Sequence, residues 1–80
     1  MGVHMKYSYT VFEQPLSLPE YGAYTAFGVS VSPKGKAHIL QSFPDVSTDK
    51  ESLAALVLQC NRLQLHPIHL RDVIDDFLEG

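Results

Sequence analysis

Cys60, His66 and His69 stand in a Cys-x5-His-x2-His spacing, the stretch of this sequence where thiolate and imidazole come close enough together to suggest a zinc ion. A closed structural site needs a fourth ligand, and the candidate His38 is expected on a sheet face turned away from the other three. Cys60 also falls on an apolar helical stripe, where a free cysteine behaves as a small hydrophobe. The set is therefore read as structural, with no metal and no cofactor expected. A plainer role falls to His69, whose ring can bond a backbone group of the turn before the second helix.

Asp72, Asp75, Asp76 and Glu79 place carboxylates at helical spacing, but no oxygen-rich loop or second set of ligands accompanies them. They read as the solvated face of a helix that can serve as an acidic rim for a partner's basic residues. Tyr7, Tyr9, Tyr24, Phe12 and Phe27 would stack nucleic-acid bases only beside a positive groove. The net charge is −3 and lysine and arginine do not cluster, so no nucleic-acid partner is expected and the aromatics are assigned to packing. No glycine elbow or phosphate-cradling loop is present. No catalytic residue is assigned, and the chain is not expected to be an enzyme.

The elements that position these residues follow from periodicity. Residues 6–13 alternate apolar and polar positions, the period of a half-buried strand. Pro15, Pro19 and Gly22 then predict a loop. Alternation returns over residues 23–31, with Ala23, Thr25, Phe27, Val29 and Val31 on one face and Tyr24, Ala26, Gly28 and Ser30 on the other. Ser32-Pro33-Lys34-Gly35 predicts a type I turn with Gly35 left-handed. A three-residue loop closed by Ser32 and Lys36 would place Val31 opposite Ala37, Val29 opposite Ile39 and Thr25 opposite Phe43.

After Phe43 the period changes to that of helices. Thr48-x-x-Glu51 predicts a capping box, followed by a stripe of Leu53, Leu56, Val57, Cys60 and Leu63, with Gln59, Asn61, Arg62 and Gln64 facing water. Pro67 is expected to open a second helix with its own stripe of Leu70, Val73, Ile74, Phe77 and Leu78. The resulting fold class is α+β, a three-stranded antiparallel sheet followed by two C-terminal helices packed on one face.

Eighty residues allow one domain, and 45% hydrophobic with 19% charged residues is globular composition. A core of this size is thin, which favours a partner subunit. With one cysteine, no disulfide forms within the chain, and a reducing, cytoplasmic compartment is expected. The longest apolar run is too short to span a membrane, so no membrane partner is expected. Residues 1–4 read as a cloning remnant, which leaves residues 5–80 as the domain.

Val46-Ser47 leading into a helix, Cys60-Asn61 near its end, and Leu65-x-Pro67-x-His69-Leu70-x-Asp72-Val73 running to Asp76-Phe77-Leu78 carry a family resemblance. The second half of the chain resembles a family of short uncharacterised proteins, a domain of unknown function, from Clostridia and related Firmicutes. The resemblance implies a bacterial cytoplasmic source and assigns no active residue.

The expected function is a non-enzymatic protein-interaction or regulatory module. The alternative is a small-molecule or metal-binding protein using the helix junction near Cys60, His66 and His69. Both helical stripes face one side of the sheet, so the other side has no expected cover within the chain. Phe12, Tyr24, His38 and Leu40 are its candidate interface, with a homodimer expected and Tyr24 and Leu40 near the twofold axis. An unidentified protein partner is the other expected occupant.

Overall fold

The alternation that starts at Tyr7 does not stop at the prolines. The computed structural model describes residues 6–80, and β1 runs over Tyr7–Leu18. It pairs antiparallel with β2, Gly22–Pro33, from Tyr7 opposite Pro33 to Leu18 opposite Gly22. The loop expected at the prolines is thus a strand and a hairpin turn. Pro15 is tolerated because β1 is an edge strand in the order β1-β2-β3. The outer edge carries the backbone groups of Tyr7 and Tyr9, and strand alternation puts the position of Pro15 on that same edge, where no ladder bond is lost. Pro19 opens the three-residue turn. The reading of residues 1–4 as a cloning remnant lies outside the described residues.

β3 spans Gln41–Ser47 and pairs antiparallel with β2. Gly35 does adopt a left-handed φ of 76°, and Lys36 N–H donates to Pro33 O at 3.1 Å, so a turn forms one residue later than expected. The register differs. Val29 lies opposite Phe43, with Ile39 and His38 in an irregular connection rather than in a strand. The slip from Ile39 to Phe43 is four residues, an even number, so Phe43 keeps its expected face while residues 36–39 leave the sheet. Phe43 packs against the core, the irregularity after it turns Val46 inward as well, and Ile39 is left exposed.

Between Phe43 and Ser47 the strand bulges, with Asp45 at φ 52°. The bulge brings the Phe43 carbonyl against Gly28 of β2. A Cβ at Gly28 would lie 2.5 Å from that oxygen and would overlap the Phe12 ring, so the site requires glycine.

Helix α1, Lys50–Leu63, is capped by Asp49 and not by Thr48. The Asp49 carboxylate accepts from the Ser52 N–H at 3.3 Å and from its hydroxyl at 2.6 Å, which holds the carboxyl below its usual pKa. Pro67–His69 form a 3-10 turn, and α2 follows over Leu70–Glu79. Tyr9, Phe27, Val29, Val31, Val46, Leu53, Val57, Cys60, Leu70 and Ile74 make the core between the helices and one sheet face. Leu63 and Leu78, expected in the stripes, are 74% and 58% exposed. No helix of the described residues is long and apolar enough to cross a membrane.

Candidate functional site

The helix junction disperses the residues that sequence spacing brings together. Cys60 is buried on the core side of α1, and that burial pushes its thiol pKa up. His66 is exposed, its Nδ1 accepting from the Ile68 N–H at 3.2 Å and its ring standing edge-on to Tyr7 at 5.5 Å. The backbone-capping role expected of His69 therefore belongs to His66, and His69 makes no side-chain cap bond. Among the described residues no three His, Cys, Asp or Glu side chains gather in a metal-binding group. Asp72, Asp75, Asp76 and Glu79 are all exposed along α2.

The tyrosines divide between the two sheet faces, so they form no continuous stacking platform. Tyr9 is in the core, and its hydroxyl donates to the Leu65 carbonyl in the turn after α1. Burial, with Cys60 and Tyr7 close by, pushes its pKa up to about 12. Tyr24 lies on the opposite face, across from Leu16.

Asn61 and Gln64 were expected to face water, and instead they close the outer edge of β1. Asn61 Oδ1 accepts from Tyr9 N–H at 2.8 Å while its Nδ2 donates to Tyr9 O at 2.9 Å. One turn on, Gln64 Oε1 accepts from the N–H groups of Lys6 and Tyr7, and its Nε2 donates to Tyr7 O at 3.2 Å. Two carboxamides thus reproduce the donor and acceptor pattern of a neighbouring strand, blocking pairing with another chain there. The i, i+3 spacing of two amides at a helix end was the available signal, though it says nothing about which strand edge they meet.

The face away from the helices carries the candidate interface residues. Phe12, opposite Gly28, covers that glycine. Gln14 reaches across Ala26 and accepts from Asp45 N–H of β3 at 3.0 Å, so Ala26 is buried although this face has no helix. His38 is not on this sheet face as expected, because the register slip leaves it in the exposed connection before β3. Tyr24 and Leu40 do not sit together. Ser30 pairs with Ser42, which puts Leu40 near Ser32, eight residues along β2 from Tyr24 and about 26 Å away at strand rise.

Beyond Phe27 the β1–β2 hairpin continues without β3. On its helix-side face Glu13, Pro15, Ser17, Ala23 and Thr25 are exposed, so no helix covers it. The other face bears Leu16, Leu18 and Tyr24, and Tyr21 at the tip is 80% exposed. This arm gives the molecule its 52 Å long dimension against 28 and 20 Å. Leu16, Leu18 and Tyr21 were missed because prolines masked a strand whose alternation was present in the sequence. Chemically the arrangement offers an apolar and hydroxyl-bearing surface on a two-stranded ribbon.

A family model described as a family of unknown function (DUF6514) matches residues 1–80, so the chain belongs to that family. No curated protein and no solved structure matches it.

Proposed function

We propose that this chain is a non-enzymatic protein-interaction or regulatory module of the bacterial cytoplasm, from Clostridia and related Firmicutes. Its contact surface is the sheet face away from the helices, and its partner is a second copy or another protein. The observation that carries this reading is the bare arm. An isolated two-stranded hairpin is marginal in water, and three or more strands or a packed helix are ordinarily needed. Here the arm lacks both, and it exposes Leu18 and Tyr21 beside the half-buried cross-strand pair Leu16 and Tyr24. A partner laid on that face would supply the missing layer.

Photocrosslinking residues placed at Leu16 or Tyr24 in the source bacterium should yield protein adducts, whereas the same residue at Leu58, exposed on α1, should not. Arm positions that yield no protein adduct, together with a melting temperature raised by zinc alone, would return the function to the Cys60, His66 and His69 junction.

A further inference from the structure

We infer that the partner is a second copy of this chain, laid face to face and antiparallel on the open sheet face, with Phe12 and Gly28 at the twofold axis. The inference rests on the interaction reading above and specifies its occupant.

Charge along the face is the first argument. From Tyr7 to Pro33 the only charged residues are Glu13 and Glu20, and Glu20 is exposed at the arm tip. From Lys34 to the end of β3 the charged residues are Lys34 and Lys36, both exposed, with His38 beside them and Lys6 on the adjoining end of β1, and Asp45, whose N–H meets Gln14 on the arm side of Gly28. One end of the long face is therefore acidic and the other basic. Parallel stacking would bring like charges together, and antiparallel stacking pairs opposite ones.

Position along the strands is the second argument. Glu20 precedes Gly28 by eight residues, and Lys34 and Lys36 follow it by six and eight. β2 itself begins six residues before Gly28 and ends five after it, so the turns that carry Glu20 and the two lysines start at similar distances from Gly28, about 17–20 Å at strand rise. A twofold axis over Phe12 and Gly28 sets Glu20 of each copy against Lys34 and Lys36 of the other. The same operation brings Tyr24 beside the second copy's Leu40, on the side of the arm that β3 does not reach. Residues that are far apart in one chain become neighbours across the axis.

Area is the third argument. Two twelve-residue strands and the seven residues of β3 give a face of about 500 Å² per copy, or about 1,000 Å² in total. That lies at the lower limit for a specific interface. Outer-edge strand addition is the poorer route to a dimer, because Asn61 and Gln64 cap β1 at one end and Pro15 removes a donor further along.

Light scattering and sedimentation of the full chain across the micromolar range test the inference. Wild-type protein should reach twice the monomer mass. Glu20→Lys should weaken the dimer about tenfold, and adding Lys34→Glu and Lys36→Glu should restore it to within about twofold. These sites are exposed, so the fold survives, and circular dichroism verifies it. A monomer at every concentration, or a dimer indifferent to the charge reversal and its compensation, overturns the antiparallel pair. If the arm still crosslinks to a different protein, the interaction reading stands while self-pairing falls. If the arm crosslinks to no protein, both fall.

Discussion

The two halves of the β1–β2 hairpin have the same strand pairing and opposite surroundings. From Tyr7 to Val11, β1 has β2 on one side, the amides of Asn61 and Gln64 along its outer edge and α1 over its inner face. Beyond Gln14, whose side chain accepts from the Asp45 N–H of β3, the same strand has only β2 from Pro15 to Leu18. The sealed half holds the core tyrosine, and the bare half holds apolar side chains with nothing across from them. Intramolecular contacts are thus concentrated at one end of the ribbon, which leaves the other end free for intermolecular ones.

Substitutions in each half should separate these roles. The largest effect is expected at the boundary, where Gly28→Ala forces a Cβ into the Phe43 carbonyl and the Phe12 ring, costing about 3 kcal/mol. Thermal melts should show a largely unfolded protein, and native-like stability of the variant would break the account of the bulge. In the sealed half, Asn61→Ala leaves the Tyr9 N–H and C=O unpaired at a partly buried edge. Urea titration should register a loss of about 2 kcal/mol. A neutral result would mean that the amide bracket only decorates the edge.

Tyr9 sharpens the comparison through pH. Its folded pKa of about 12 lies above the ordinary 10.0, so the folded state favours the protonated phenol. That contribution is complete below the unfolded pKa and is lost as pH rises through the folded one. Cys60, also raised by burial, acts in the same direction beginning above its ordinary 9.0. Urea midpoints should therefore fall between roughly pH 9 and 12 in wild type, and Tyr9→Phe should remove the part of the slope that Tyr9 contributes above about pH 10. An unchanged slope in the variant would show that Tyr9 does not titrate with unfolding. The smallest effect is expected in the bare half, where Leu16→Ala should change the stability of the dilute monomer by less than about 1 kcal/mol.

Periodicity made the fold class legible, along with the faces of β2 and the burial of Cys60. It failed where its signal is degenerate. A period of two cannot distinguish Ile39 from Phe43 opposite Val29, because both registers keep the same side chains inward. The choice was made by burial of Phe43 and Val46 and by the bulge that Gly28 admits, both of which are tertiary. The prolines at 15 and 19 were read as strand breakers, although edge position removes the penalty for one and turn position for the other. Asn61 and Gln64 were assigned to solvent because amides have no apolar period, and only the proximity of the β1 edge gives them a task. The candidate interface was legible as a face but not in its geometry, since the register sets Tyr24 and Leu40 at opposite ends.

Amide hydrogen exchange on dilute and concentrated protein tests most directly whether the bare half is completed by a second copy. Tyr9, Val29 and Val31 should be protected equally at both concentrations, because their cover lies within the chain. The amides of Leu16 and Tyr24 should exchange rapidly in the dilute sample and slow down as the dimer fills. Exchange at Leu16 and Tyr24 that does not depend on concentration, whether fast or slow, would contradict the account.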